Sequence, residues 1–324
     1  MIFAGDVGGT KSNLALYEVR EGKLRLVEQR RFANRDFTRV EDLLGEFARP
    51  ARGKLRAACL GVAGPVISGR VRFTNLPWAF DAEGLARLLG LDHVVLVNDM
   101  EATAHSLDIT EPRQLSPLQA GAAIPGGNEA LIAAGTGLGE CLWSWVNGRR
   151  TVVSTEGGHT DFAPRSDEEI EFLRFLMARQ KRVSVEQVAS GRGFRAMHEF
   201  YKPSARHASF DDPAADPAVE ITLNARTRSC ETCVKAVDFW LTLYGAEAGN
   251  LALKSLAVGG FYVAGGIAIK LLDLLQNGRF VQAFREKAEH EHILAGIPIQ
   301  VLLDEEAPLH GAAARALHEL GASH

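Results

Sequence analysis

Cysteine is scarce: four residues in 324 (Cys59, Cys141, Cys230 and Cys233) cannot make the disulfide framework of a small secreted protein. Positive charge is not in excess either. With 36 Lys+Arg against 40 Asp+Glu the formal net charge is −4, so nothing is set aside to neutralise a phosphate backbone and nucleic acid is not expected as a partner. Long apolar runs are missing. The stretch Ser255 to Ile269 is uncharged, but it holds four glycines and falls short of the ~18–20 residues a membrane span needs. The opening MIFAGDVGG reaches an acid at Asp6 with no basic region before it, unlike a signal peptide. A cytoplasmic protein with no membrane partner is the expectation.

What is present is the ordinary balance of a globular chain, 46% hydrophobic and 23% charged residues. The length allows two domains, since single cores stop growing near ~250–300 residues. Glycine is plentiful at 32 residues and gathers in short motifs. The first third reads as strands before helices. Ile2 to Gly5 is a short strand, Asn13 to Val19 alternates with Leu14 and Leu16 on one face, and Leu24 and Leu26 continue that period in a third strand. A helix over Val40 to Phe47 and a buried strand over Leu55 to Val62 follow. Asp81 caps a helix that Gly90 stops, and the strand His93 to Val97 ends at Asn98-Asp99, with a helix running on through Ala104.

The second half restarts this order. Leu131 to Ala134 is a strand entering a glycine turn, Cys141 to Val146 and Thr151 to Ser154 are strands, and helices then dominate, including Cys230 to Leu256. The apolar run Gly259 to Ile269, the strand Ile297 to Leu302 and an alanine-rich helix, Gly311 to Leu320, close the chain. A strand, a glycine turn bearing a threonine and a second strand thus occur twice, which predicts two similar α/β halves facing each other with a ligand in the crevice. The polar, proline-rich Lys202 to Val219 predicts an exposed loop.

Chemistry concentrates in a few motifs. GDVGGT at Gly5 to Thr10 is followed by a strand, not a helix, so it differs from a dinucleotide fingerprint. It is either a plain β-hairpin or one whose backbone N–H groups wrap a phosphate, with Asp6 suited to Mg²⁺ directly or through water and Thr10 and Lys11 as further donors. AAGTGLGE at Ala133 to Glu140 is a second hairpin of the same kind, and two of them suit a triphosphate held from both sides. Asp99, at the end of the buried strand HVVLVND, either takes a proton from a substrate hydroxyl while Asn98 holds another hydroxyl, or caps the following helix. EGGH sets Glu156 and His159 on a glycine turn, as sugar partners or as a metal site lacking the usual ligand spacing. Glu186 is a further sugar acceptor or a solvated acid at a helix start, and AGG at Ala264 to Gly266 is a platform for adenine or a close helix–strand packing. Cys230 and Cys233 form a lone CxxC. No second Cys/His pair sits nearby to complete a zinc site, and two buried thiols on one helix are expected rather than a redox or half-zinc motif.

GDVGGT, VAGPV, FTNLPWAF, VND, AAGTGLG, EGGHTDFAP, SVEQVASG and VAGGI, in this order, resemble the bacterial glucokinase family, within the sugar kinase, actin and heat-shock ATPase fold group. The likeness runs from Phe3 to Leu320. It implies two ribonuclease-H-like (actin/hexokinase-type) α/β domains flanking a ligand cleft: a small one over 1–107 completed by 303–324, and a large one over 108–302. The reaction implied is ATP plus D-glucose giving glucose 6-phosphate and ADP, with Mg²⁺, at the entry to glycolysis, in a homodimer. By the same likeness Asp99 is the catalytic base, and Asn98, Asp99, Glu156, His159 and Glu186 hold glucose. Gly5, Asp6, Val7, Gly8, Gly9 and Thr10 form the first phosphate loop, Gly135, Thr136 and Gly137 the second, and Gly265 and Gly266 the late nucleotide contact.

The chain departs from the family at Met100, where phenylalanine is expected, and at Thr160, where an aliphatic residue is expected. It also lacks the dense cysteine zinc motif and the N-terminal DNA-binding helix pair of the related repressor–kinase group. A kinase of another hexose or amino sugar, and a sugar-sensing protein without catalysis, are the alternative readings.

Overall fold

The computed structural model describes residues 1–73, 76–201, 207–212 and 215–322. Thr74 and Asn75 of FTNLPWAF, and parts of the polar stretch expected as a loop, lie outside the described residues. The chain forms two compact units, Met1–Pro112 with Glu306–His324, and Arg113–Glu305.

In the first unit, strands β1 (Ile2–Val7), β2 (Lys11–Arg20) and β3 (Lys23–Ala33) form an antiparallel meander. Helix α1 (Val40–Ala48) leads to β4 (Ala57–Val62), which lies parallel to β1. A small hairpin that the sequence reading misses, β5 (Arg70–Arg72) with β6 (Ala79–Asp81), precedes α2 (Ala82–Leu89). Asp81 Oδ1 accepts the Gly84 N–H at 2.7 Å, and Gly90, at φ +70°, ends the helix in the left-handed region. Strand β7 (Val95–Asn98) completes the sheet order β3-β2-β1-β4-β7 and runs straight into α3 (Asp99–Ser106).

Both faces of this sheet are covered, which corrects the alternation expected for β2. Leu14 and Leu16 join Phe3, Val7 and α1 on one side, while Ala15 and Tyr17 join Ile2, Ala4 and the last helix (Ala307–Ala322) on the other. A strand buried on both faces reads as a continuous apolar run. The edge strand β3 leaves Leu26 half exposed. The last helix lies close on α3 because residue 311 is glycine: a Cβ there would collide with the Ala102 carbonyl.

The second unit repeats the plan and adds a strand. An edge strand, β8 (Leu115–Gln119), precedes the meander β9 (Glu129–Ala134), β10 (Leu138–Val146) and β11 (Arg149–Thr155). Helices α4 (Asp167–Met177), α5 (Val185–Ala189), α6 (Gly191–Phe200), α7 (Pro217–Arg226) and the 25-residue α8 (Glu231–Ser255) come next. Strand β12 (Gly260–Ala264), helix α9 (Gly266–Lys270) and strand β13 (Ile299–Leu302) finish it, giving the order β11-β10-β9-β12-β13-β8. Strands β9, β12 and β13 are mutually parallel and β8 is antiparallel. Trp240 and Tyr244 of α8 are fully buried in this unit's core.

The expected loop over Lys202 to Val219 is corrected. Its described parts hold a turn of 3-10 helix at Ala208–Phe210 and the opening of α7, with Pro217 in the first turn, and His207 is buried. Among the described residues, no helix is long and apolar enough to cross a membrane.

Candidate active site

The first glycine motif is a hairpin between β1 and β2. Gly5 and Val7 of the expected phosphate loop lie inside β1: Val7 is buried in the core, and a Cβ on Gly5 would stand 2.6 Å from Leu60 Cδ2. The turn itself is Gly8–Thr10, closed by the Gly8 N–H donating to the Lys11 carbonyl at 3.0 Å. Asn34, which no motif announced, holds it in place. Its Nδ2 donates to the Gly8 carbonyl at 2.8 Å, its Oδ1 accepts from the Ser12 hydroxyl at 2.7 Å, and its backbone N–H reaches the Thr10 carbonyl at 3.0 Å. Thr10 and Lys11 are exposed.

Asp6 sits on β1 just before this turn. Burial pushes its pKa up to about 7, the Asp99 charge adds to the rise, and Arg31 opposes it. Asp6 and Asp99 stand at the same end of the sheet, at the carboxyl ends of β1 and β7 with β4 between them, and the charge of Asp99 reaches Asp6 across that strand. Asn98 is the residue that caps this helix, its Oδ1 accepting the Met100 N–H at 2.8 Å, and its Nδ2 donates to the Gly64 carbonyl at 3.0 Å. One N–H of Asn98 therefore remains for a ligand. Asp99 Oδ1 also accepts the Met100 N–H, at 2.9 Å, while the Thr103 hydroxyl donates to its carbonyl at 2.8 Å. The cap of α3 is thus Asn98 and not Asp99, which is the first residue of the helix.

In the second unit, Gly135, Thr136 and Gly137 form the turn between β9 and β10. The Gly191 N–H at the head of α6 donates to the Gly135 carbonyl at 2.9 Å, and Trp240 Nε1 ties the preceding Ser190 carbonyl at 3.0 Å. Glu186 is half-buried on α5, whose start carries a capping box between Ser184 and Gln187. Its Oε2 accepts the Leu138 N–H at 3.2 Å, so it is not the freely solvated acid of the plainer reading. Glu156 and His159 sit on an exposed 3-10 turn, with His159 Nε2 3.8 Å from Glu156 Oε2. Beneath that turn lies Glu140, buried, with Oε1 unpartnered among the described residues. Burial pushes its pKa up to about 7, helped by the Glu247 charge. A Cβ on Gly157 would collide with the Glu140 carboxylate, so the EGGH turn is seated on it. The letter is present in AAGTGLGE, but only the fold shows what it supports.

Gly265, at φ +90°, ends β12, and Gly266 opens α9 beside a cavity of about 590 Å³. Gly135 and Thr136 line the same cavity, together with Arg192, Arg195 and Lys270. The three cations were missed by the motif reading. A glycine-flanked helix start bearing arginines, SGRGFR, was the signal available for two of them.

The reading of Cys230 and Cys233 is corrected. His198 and His207, distant from the CxxC in sequence, come to both thiols, and all four donor atoms lie within 4.8 Å of one another. Cys233 is buried, but Cys230 is only half-buried at the head of α8.

A sequence profile of the family described as Glucokinase matches residues 3–319. The glucokinase of Nostoc punctiforme is 34% identical over 333 residues, covering 97% of this chain and 98% of its own. That of Synechocystis sp. is 35% identical over 340 residues, 96% of each. Among solved structures, the glucokinase from an Antarctic psychrotroph matches with a TM-score of 0.83 at 28% identity over 98% of both chains. A ROK family glucokinase from Streptomyces griseus, solved with glucose and AMPPNP, shares the fold at a TM-score of 0.61 and 20% identity, over 98% of this chain and 99% of its own.

Proposed function

The chain belongs to the glucokinase family, an ATP-dependent hexose kinase, and we propose that its own residues divide the transfer of the ATP γ-phosphoryl group to the 6-hydroxyl of D-glucose as follows. Asp99 accepts the 6-hydroxyl proton while that oxygen attacks the γ-phosphorus. The bond from the γ-phosphorus to the β–γ bridging oxygen breaks, ADP leaves, and Asp99 returns the proton to solvent. Asn98, through its remaining N–H, and Glu156, His159 and Glu186 hold the sugar hydroxyls. Glu186 offers one oxygen only, because the other is taken by the Leu138 N–H.

The backbone N–H groups of the turns Gly8–Thr10 and Gly135–Gly137 face the phosphates, and the cavity at Gly266 takes the rest of the nucleotide. Asp6 fits Mg²⁺: it is a carboxylate pressed by burial and by a second carboxylate, which a cation would relieve. When bound, that ion supplies charge neutralisation at the phosphoryl oxygens. The homodimer and the cytoplasmic, glycolytic setting belong to the same reading; four free cysteines accord with a reducing compartment.

The observation that carries the assignment is the placement of Asp6 and Asp99 at the carboxyl ends of the parallel strands β1 and β7, with the charge of Asp99 adding to the burial that pushes Asp6 up to about 7. A coupled assay for glucose 6-phosphate tests it, with ATP and Mg²⁺ on glucose beside mannose, fructose and glucosamine, and with polyphosphate replacing ATP. Turnover is expected to be highest with glucose and ATP. Faster turnover on another sugar, or with polyphosphate, overturns the substrate assignment.

A further inference from the structure

We propose that His198, His207, Cys230 and Cys233 bind one Zn²⁺ ion in a tetrahedral structural site that fastens α6, the turn after it and α8 together. The distances are those of a site about to close. His198 Nε2 and His207 Nε2 are 3.0 Å apart, and Cys233 Sγ is 3.2 Å from His207 Nε2. Zinc bonds of ~2.0–2.1 Å to nitrogen and ~2.3 Å to sulfur put tetrahedral ligands about 3.3 Å apart for two nitrogens and about 3.6 Å for nitrogen and sulfur. These two pairs need to open by only a few tenths of an ångström to admit the ion, and all four donor atoms already lie within 4.8 Å of one another. Two imidazoles and two thiols select zinc over the oxygen-seeking magnesium of the catalytic chemistry.

The way each residue arrives supports the same occupant. Cys230 is the capping residue of α8 and Cys233 lies in its first turn, so both sulfurs come to one side of a helix start. His198 comes from α6 and His207 from the turn that follows. His198 and Cys233 are fully buried and His207 nearly so, which leaves little room for a hydrated hard cation. His207 also has an outer partner. Its Nδ1 stands 3.6 Å from Glu220 Oε1, whose other oxygen accepts the Ser209 N–H at 2.9 Å. A carboxylate behind a ligating histidine orients the ring and raises its basicity. Entry of the ion releases the two thiol protons, and the two thiolates balance its charge.

The site also has a route to the large cavity. The Phe210 ring packs edge-on against both imidazoles, with centroids 4.9 and 5.6 Å away, and Arg195, which lines the cavity, lies over Phe210 at 5.2 Å. Zinc would therefore stiffen one cavity wall. That consequence for ATP rests on placing the nucleotide there; ion binding itself does not.

The test uses the full chain, purified reduced and without chelator. Elemental analysis is expected to find about one zinc per chain. Zinc removed and replaced by Co²⁺ is expected to give the intense visible bands of a tetrahedral site with thiolate-to-cobalt charge transfer. Cys230→Ser, which leaves Cys233 as the one sulfur ligand, is expected to lower that charge-transfer band to about half or less. If it fails to fold, Glu220→Gln, which touches the site only through His207, is expected to weaken zinc about 10–100-fold. A metal-free chain that gives no charge-transfer band with Co²⁺, or one that carries a Cys230–Cys233 disulfide under the same reducing conditions, overturns the site. Zinc removal should raise the KM for ATP and leave that for glucose unchanged. Bound zinc whose removal leaves the ATP KM unaltered supports the metal site while counting against the nucleotide placement.

Discussion

The two glycine hairpins hold the same place in their respective sheets, yet they draw charge from different sources. In the first the acid is part of the strand: Asp6 is the last residue but one of β1. The same position of β9 is Ala133, and the carboxylate at the second turn, Glu186, arrives from α5. A carboxylate inside a sheet is fixed by the strand and bears the cost of burial, hence its rise to about 7. One delivered by a helix is fixed by its own hydrogen bond, here to the Leu138 N–H. One backbone plan thus carries two charge plans. The first suits proton and metal chemistry, where a strained acid is useful, and the second suits the holding of a neutral ligand.

The largest expected effect separates these plans directly. Asp99→Ala should lower kcat by about 10²–10⁴-fold, the usual worth of a general base, with little change in the KM for glucose. Glu186→Gln keeps an acceptor for the Leu138 N–H, so it should raise the KM for glucose and spare kcat far more. Steady-state kinetics on both variants decides. Near-normal turnover in Asp99→Ala together with collapse in Glu186→Gln would remove Asp99 as the base and place the essential acid at the second turn.

Much of this difference was legible in the letters. GDVGGT and AAGTGLGE announced two hairpins, and Asp6 at the mouth of the first is an acid suited to Mg²⁺. Asp81 with Gly90 fixed α2 at both ends, since caps are local chemistry. Contacts between distant segments were not legible. Asn34 grips the first turn from 26 residues away, and nothing near it in sequence says so. His198 and His207 reach the CxxC only because α6 and α8 pack together, so a search for ligand spacing along the chain had nothing to find. The two-sided burial of β2 was hidden for the same reason: Ala15 and Tyr17 are covered by a helix that begins at Ala307.

Each unit also holds one buried acid pushed up to about 7, Asp6 in the first and Glu140 in the second. A carboxyl whose folded pKa exceeds its unfolded value stabilises the fold most below the unfolded pKa, and that contribution is lost as pH rises through the folded one. For Glu140 the window runs from 4.5 to about 7, worth on the order of 3 kcal/mol. Glu140→Gln should flatten the fall in stability across that window, measured by denaturant unfolding at several pH values. Mg²⁺ with ATP should relieve Asp6 and leave the Glu140 slope intact. An unchanged slope in Glu140→Gln would mean that this acid does not titrate in the folded chain as its burial demands.

The smallest expected effects come from the glycines, and they sharpen the contrast most finely. A Cβ on Gly137 would stand 2.7 Å from Glu186 Oε2, whereas one on Gly9 would meet nothing within 4 Å. Gly137 is thus glycine for the sake of the protein's own packing. Gly137→Ala must displace the Glu186 carboxylate, and it should cost about 1–3 kcal/mol of stability along with part of the sugar affinity. Gly9→Ala should change stability by no more than ~0.5 kcal/mol, because its backbone conformation suits any residue and its surroundings are open. If the first turn wraps the phosphates, the same methyl group should still raise the KM for ATP, since it stands where the ligand must approach the backbone. Thermal unfolding and steady-state kinetics on the two variants therefore separate them: loss of stability and of sugar affinity at Gly137, and an ATP effect without loss of stability at Gly9. A Gly9→Ala protein with wild-type ATP kinetics would show that the first turn keeps its glycine for neither purpose and would leave the second hairpin as the main phosphate contact.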